Sequence, residues 1–220
     1  MQAFPFDITA FDLDGTLADT APDIAGGINR MLADFGRGPL AEAAIRPMIG
    51  DGARNLLRRV LEATGGSTEE LLDEAHPRYL DHYAAHVCDG TQPYPHIEEA
   101  MDDLAAFGLR LAVCTNKSTR MTRLLLDALG WTDRFAAIVC GDTLPVFKPD
   151  PATLRETIRL AGGGRTVLVG DSMIDAGTAR AAGTPFVAVS FGFRDRPVEA
   201  LGADAVIDHY RELIPALRAL

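Results

Sequence analysis

The chain has 220 residues, 47% of them hydrophobic, which is enough for one sizeable core and a smaller module. Its formal net charge of −10 argues against nucleic acid or an anionic membrane surface as a partner. No apolar run reaches the roughly 18 residues that span a bilayer, and the first residues lack the features of a signal peptide. The three cysteines have no CxxC spacing, which favours a reducing compartment. We therefore expect a cytoplasmic protein.

Six short apolar runs have the character of β-strands, and each ends in small or polar residues. They span residues 7–15, 109–116, 136–142, 166–172, 184–190 and, less markedly, 204–208. Helical patterns lie between the later runs. In one of them the apolar residues recur along one face: Met121, Leu124, Leu125, Ala128 and Leu129. Apolar strands that alternate with helices predict a parallel sheet covered on both sides.

Residues 18–90 interrupt this alternation, because they contain helical patterns and no convincing strand. Helices are predicted to begin at Thr20 and to cover residues 53–63 and 67–87. The predicted fold is α/β, a three-layer Rossmann-like parallel sheet core with an inserted α-helical cap domain. The predicted domains are the catalytic core, residues 1–17 and 91–220, and the cap insert, residues 18–90.

Charged and polar residues follow several of the predicted strands, where open parallel sheets bind their ligands. They are Asp12 and Asp14 at the end of the first run, Thr115, Asn116 and Lys117 at the end of the second, Lys148 beyond the third, Asp171 at the end of the fourth, and Asp175 four residues further on. Four carboxylates beside one or two lysines are tolerable only with a divalent cation, and oxygen ligands suit Mg²⁺. The sequence therefore predicts a Mg²⁺ site at this edge of the sheet.

Some of these residues also have a purely structural interpretation. A calcium loop starting at Asp12 would need glycine at its sixth position and glutamate at its twelfth, but Leu17 and Asp23 stand there. Ser172 and Asp175 have the spacing of a helix capping box, which would satisfy backbone N–H groups without any catalytic role. The calcium loop is thus excluded, whereas the capping box stays open.

Lysine is rare in this chain, since only Lys117 and Lys148 accompany the arginines. A lysine supplies a compact point charge where an arginine supplies a planar fork. Pro149 restricts the backbone beside Lys148, and Asp150 has the position of a helix N-cap, which suits a charge that must be aimed. We interpret Lys117 as a solvated surface residue.

Four motifs occur in a fixed order, with the helical insert after the first. They are DLDGT at 12–16, TN at 115–116, KPDP at 148–151 and GDSMID at 170–175. This arrangement resembles the haloacid dehalogenase superfamily over essentially the whole chain. Three further segments are most similar to its bacterial phosphoglycolate phosphatases: 49–57, 91–97 and 140–151. The chain departs from that group at His96, where glycine is common, and at Phe147, where a polar residue is frequent.

The resemblance implies a Mg²⁺-dependent phosphomonoester hydrolase that acts on a small phosphorylated metabolite as a monomer or homodimer. The expected substrate is 2-phosphoglycolate, and the alternative is a phosphatase or mutase acting on another small sugar phosphate. In such enzymes Asp12 would be the nucleophile that forms an aspartyl-phosphate, and Asp14 would be the acid and base. A phospho-aspartate receiver is the rival from another class, but it needs neither Asp14 nor a helical insert.

The resemblance also implies what the remaining residues do. Mg²⁺ would be held by Asp12, the Asp14 carbonyl and Asp171. The phosphoryl oxygens would be bound by Thr115, the Asn116 backbone N–H and Lys148. Asp175 would support this geometry without touching the substrate.

The cap contains one unusual loop, in which Gly50 and Gly52 flank Asp51. Two glycines allow the backbone to approach a ligand closely. Arg54 lies just inside the following helix and is the nearest cation to this loop. We therefore expect this loop and Arg54 to determine substrate specificity, with Arg54 binding a substrate carboxylate.

Overall fold

The computed structural model describes residues 4–193 and 196–220; residues 1–3, 194 and 195 of the predicted core segments lie outside the described residues. The strands are β1 Ile8–Phe11, β2 Ala18–Asp19, β3 Gln92–Pro93, β4 Arg110–Cys114, β5 Ala137–Val139, β6 Thr166–Gly170, β7 Phe186–Val189 and β8 Ala205–Ile207. The α-helices are α1 Ala21–Asp34, α2 Glu42–Ile45, α3 Ala53–Ala63, α4 Glu69–Ala84, α5 Ile97–Ala106, α6 Thr119–Ala128, α7 Pro151–Leu160, α8 Met173–Ala182 and α9 Leu213–Ala219. Within the described ranges, no helix combines the length and the apolar character that crossing a membrane requires.

Six strands form one parallel sheet in the order β5-β4-β1-β6-β7-β8, and they are the six runs predicted from the sequence. Successive side chains of a strand point to opposite faces. Phe11 and Val169 therefore pack in a cluster with α5, α6 and α9, whereas Ala10 and Leu168 pack in another with α7 and α8. The predicted three-layer, Rossmann-like α/β architecture is confirmed.

The buried face of α6 differs from the predicted one. Met121 and Leu125 are buried as predicted, but Leu124 and Ala128 are exposed and Leu126 is buried instead. The reason is that α6 packs on two sides. Leu125 and Leu126 join the cluster on the sheet, while Met121 joins the cluster of the inserted helices.

Helices α1 to α4, residues 21–84, share a second hydrophobic cluster, which Met121 of α6 also joins, and we call residues 21–84 the cap. Helix α3 covers residues 53–63 as predicted, and α1 begins directly after Thr20. Helices α1 and α4 pack so closely that a Cβ on Gly27 would lie only 3.2 Å from the backbone of Tyr83. The domain boundaries proposed from the sequence stay a prediction.

The expectation of no strand within residues 18–90 is wrong at β2. This strand pairs antiparallel with β3, with Ala18 opposite Pro93 and Asp19 opposite Gln92. A strand of two residues is too short to show alternation in the sequence. The pairing fastens the segment that enters the cap to the segment that leaves it.

His96 is the only non-glycine residue with a positive φ among the described residues, at 68°. It occupies the N-cap of α5, where the left-handed backbone conformation is strained for a residue that carries a Cβ. Its Nδ1 lies 3.1 Å from the carboxylate of the exposed residue Glu99. An exposed pair of this kind contributes little to stability.

We expect His96→Gly to raise the free energy of unfolding by about 0.5–1 kcal/mol, because glycine adopts this backbone conformation without strain. Urea denaturation measures the change. The control is His96→Ala, which keeps a Cβ and should give no gain. An equal gain from both substitutions would contradict the explanation by strain.

Candidate active site

The sheet places three of the predicted residues side by side. Strand β1 has β4 as one neighbour and β6 as the other. Asp12, Thr115 and Asp171 each follow one of these strands directly, so they lie at the same carboxyl edge. Strands β4 and β5 lie on one side of β1, and strands β6 to β8 lie on the other. Open α/β sheets form their ligand crevice at such a point.

Three carboxylates lie close together at this edge, and two of them contact one buried ammonium group. Asp12, Asp171 and Asp175 are buried and offer oxygen atoms that lie within 4.8 Å of one another. Lys148 Nζ lies 2.9 Å from Asp12 Oδ1 and 2.6 Å from Asp175 Oδ1. Lys148 is itself 1% exposed, so its charge is committed to these two carboxylates. One positive charge does not balance three negative ones.

Burial and the neighbouring negative charges shift the pKa values of two of these carboxylates. Burial raises the pKa of Asp12 to about 6, although Lys148 opposes the shift. Burial, reinforced by the charges of Asp175 and Asp12, raises the pKa of Asp171 well above its ordinary value. Asp12 Oδ1 is buried and accepts no hydrogen bond of good geometry. The cluster therefore fits a divalent cation, and its oxygen ligands suit Mg²⁺.

Asp171 and Asp175 are oriented by different neighbours. The backbone N–H of Phe193 donates to Asp171 Oδ2, and Gly192 packs so closely that a Cβ there would lie 2.2 Å from the Cβ of Asp171. Asp175 accepts hydrogen bonds from the backbone N–H and the hydroxyl of Ser172, whose Oγ accepts from the Asp175 N–H. The capping box is thus present, and the same carboxylate also contacts Lys148.

The Asn116 side chain connects three loops. Its Oδ1 accepts from the Lys148 backbone N–H at 2.9 Å, and its Nδ2 donates to the Lys148 carbonyl at 3.0 Å. The same Nδ2 donates to the Gly50 carbonyl of the cap at 3.1 Å. Asn116 therefore fixes the backbone of Lys148 and also contacts the glycine loop. Thr115 is buried beside it, and its Oγ1 accepts from the Lys117 N–H at 3.2 Å.

The interpretation of Lys117 as a solvated surface residue is wrong. Its side chain is 5% exposed, and its Nζ lies 2.8 and 3.0 Å from the two carboxylate oxygens of Asp14. Nζ also donates to the Tyr83 hydroxyl on α4 at 2.7 Å. Asp14 Oδ1 accepts a further hydrogen bond from Thr20 at 2.7 Å. The fold brings α4 over the loop after β4, and this packing buries the lysine.

A small cavity of about 50 Å³ lies between this edge and the cap. Its core side includes Asp12, Asp14 and Lys117. Its cap side consists of glycines and of apolar or aromatic side chains, including Ile49, Gly50, Gly52, Leu56, Tyr79 and Tyr83. Among the described residues that line it, Lys117 carries the only positive charge.

The structure divides the predicted specificity residues into two groups. Gly50 and Gly52 line the cavity. Asp51 does not line it and instead pairs with Arg59. Arg54 does not line it either, because its guanidinium is held by Glu69 and Asp73 at 2.7 Å each. The role of Arg54 in binding a substrate carboxylate stays a prediction.

The sequence analysis missed Tyr79 and Tyr83, which form part of the cavity wall. They lie on one face of α4, and their ring centroids are 5.8 Å apart. A signal was present, because a spacing of four residues places two side chains on the same side of a helix. Their function could not be inferred without knowing which surface α4 covers.

Comparison with known proteins places the chain in a family. The sequence model of the family described as "Haloacid dehalogenase-like hydrolase" matches residues 9–189. The chain belongs to this family. This haloacid dehalogenase-like hydrolase is 45% identical over 213 residues to the phosphoglycolate phosphatase of Mesorhizobium japonicum, covering 94% of this chain and 92% of the relative. It is 42% identical over 207 residues to that of Caulobacter vibrioides, covering 93% and 87%.

A solved structure agrees with this assignment. The crystal structure of a predicted phosphoglycolate phosphatase from Haemophilus somnus aligns with a TM-score of 0.90 and 29% identity. The alignment covers 96% of this haloacid dehalogenase-like hydrolase and 97% of that chain. The resemblance proposed from the motifs is confirmed, and the chain is a phosphatase.

We expect Mg²⁺ binding to release protons, and to release more at about pH 6 than at about pH 8, because Asp12 must be ionised to act as a ligand. Calorimetric titration in buffers of different ionisation enthalpy measures the number released. Asp171→Asn should weaken Mg²⁺ binding, whereas Asp208→Asn, which alters an exposed carboxylate after β8, should not. Binding without proton release at either pH would contradict the assignment.

Proposed function

We propose that this chain is a Mg²⁺-dependent phosphomonoester hydrolase that converts 2-phosphoglycolate, in the cytoplasm, to glycolate and phosphate through an aspartyl-phosphate. The observation that carries the proposal is that Asp12 and Asp14 line one cavity, with Lys148 Nζ 2.9 Å from Asp12. The phosphoglycolate phosphatases of 42 and 45% identity support the choice of substrate.

In the first step a carboxylate oxygen of Asp12 attacks the phosphorus atom, and the bond from phosphorus to the ester oxygen breaks. Asp14 donates a proton to that oxygen, so that glycolate leaves with a neutral hydroxyl group and its carboxylate still charged. Two carboxyl groups on one short loop can divide these tasks because both reach the same cavity. Lys148 and Thr115 stabilise the negative charge on the phosphoryl oxygens.

In the second step a water molecule attacks the phosphorus atom of the aspartyl-phosphate. Asp14, now ionised, accepts a proton from this water, and the bond from phosphorus to Asp12 breaks to release phosphate. The apolar cap side of the cavity excludes other water until glycolate has left.

The proposed metal ligands are Asp12, the Asp14 carbonyl and Asp171. Bound there, Mg²⁺ supplies positive charge against the carboxylates and the phosphate oxygens. Asp175 is already engaged by Lys148 and Ser172, so we assign it a supporting role and not a place among the ligands.

We expect Asp12→Asn to lower kcat for 2-phosphoglycolate by more than about a hundredfold, or roughly 2.7 kcal/mol, because an amide cannot act as the nucleophile. Phosphate release in the presence of Mg²⁺ measures the loss, and EDTA should abolish wild-type activity until Mg²⁺ is restored. Asp208→Asn is the control carboxylate variant and should stay active. A smaller loss in Asp12→Asn would overturn the nucleophile assignment.

We expect Asp14→Asn to impair hydrolysis of ethyl phosphate far more than hydrolysis of p-nitrophenyl phosphate. Ethanol is a poor leaving group that needs a proton, whereas nitrophenolate needs almost none. Comparing kcat/KM for the two esters isolates proton donation, because neither leaving group carries a carboxylate. Equal losses on both esters would argue against Asp14 as the acid.

A further inference from the structure

Lys117 occupies a position that the proposed chemistry does not yet use. It follows β4 in the core, lines the cavity and is almost fully buried. Its ammonium group lies between the Asp14 carboxylate and the hydroxyl of Tyr83, which belongs to the cap. A buried cation that faces a ligand cavity is available to bind a negatively charged ligand.

The other cations near the site do not line the cavity. Lys148 is held between Asp12 and Asp175 and is not part of the cavity wall. Arg54 is held by two carboxylates of α4, and Arg46 by Asp19 and Glu42. Within the described part of the chain, Lys117 is thus the one basic side chain in the wall of this cavity. Lys148, which contacts Asp12, is the cation that we propose for the phosphoryl oxygens.

Lys117 and Tyr83 can each donate a further hydrogen bond. An ammonium carries three hydrogens, and one of them can be shared by the two oxygens of Asp14. The Tyr83 hydroxyl accepts from Lys117, which leaves its own hydrogen to be donated. Burial raises the pKa of Tyr83 well above its usual range, so the hydroxyl keeps that hydrogen. Together the two side chains can offer two donors to one carboxylate.

The position of Lys117 also indicates where the carboxylate of a bound substrate would lie. Its Nζ lies within 3.0 Å of both Asp14 carboxylate oxygens. In the proposed reaction Asp14 donates its proton to the ester oxygen of the substrate. A carboxylate on the carbon next to that oxygen therefore comes within reach of the ammonium group.

We infer that Lys117, together with Tyr83, binds the carboxylate of the leaving group and so selects phosphate monoesters of small 2-hydroxy acids. The inference rests on the proposed phosphomonoester hydrolysis. It assigns the carboxylate contact to the core and to one tyrosine of the cap, in place of Arg54.

The test compares 2-phosphoglycolate with 2-hydroxyethyl phosphate, in which a neutral alcohol replaces the carboxylate. The measured quantity is the ratio of kcat/KM for the two esters. We expect the wild type to favour 2-phosphoglycolate and Lys117→Met to lower this ratio by about tenfold or more, because a hydrogen bond to a charged group is lost. The control is Arg120→Met, which removes a cation that pairs with Asp81 of the cap outside the cavity, and it should leave the ratio unchanged.

Tyr83→Phe provides a second variant that removes one hydroxyl and leaves the lysine in place. It should lower the same ratio by a smaller factor, about threefold. A third measurement uses the wild type alone, with p-nitrophenyl phosphate as the substrate. Glycolate should inhibit its hydrolysis competitively, and ethylene glycol should inhibit it far more weakly.

The outcomes separate the inference from the proposed function. If Lys117→Met folds and slows both esters equally, the lysine only positions Asp14 and the inference is overturned. If Lys117→Met does not fold, an unchanged ratio in Tyr83→Phe together with equal inhibition by glycolate and ethylene glycol overturns it. If the wild type hydrolyses both esters equally well, the inference fails while the phosphatase activity stands. If the wild type hydrolyses neither ester, the proposed function fails and the inference with it.

Discussion

The site depends on one buried ammonium group shared by two carboxylates. Lys148 Nζ contacts Asp12 and Asp175 at the edge of the sheet, where water is excluded. A buried charge without a partner is very costly, so each of these groups requires the others. Because Asp175 also caps α8, the helix and the loop after β1 are fixed by the same interaction. The excess negative charge of this cluster supports our proposal that a divalent cation binds at this edge.

Much of this edge could be predicted from local sequence. Asp12 follows a strand whose apolar run is visible in the sequence, and parallel strands place their carboxyl ends together. The capping box of Ser172 and Asp175 and the N-cap at Asp150 depend only on residues two or three positions apart, and both are present. Interactions between residues that are close in the chain and regularly spaced can be predicted directly from the sequence.

The environments of Lys117 and Arg54 could not be predicted in the same way. Lys117 is buried because Tyr83, 34 positions earlier in the chain, covers it when α4 packs against the core. Arg54 is neutralised by Glu69 and Asp73, which reach it only after α3 and α4 have packed together. The sequence shows the charge of each residue, but its partners are set by how helices dock. The expected environment of each residue therefore differs from the one that the structure shows.

The burial of both lysines has a chemical consequence for the whole chain. All other basic side chains apart from histidine are arginines, so Lys117 and Lys148 are the only side-chain amines, and both are almost inaccessible to solvent. Reagents that modify primary amines thus find no lysine on the outside of the folded protein, and a lysine-specific protease finds no exposed cleavage point. Each lysine becomes reactive only when the interior opens. Modification of the lysines of this protein therefore reports on opening of the site and not on its surface.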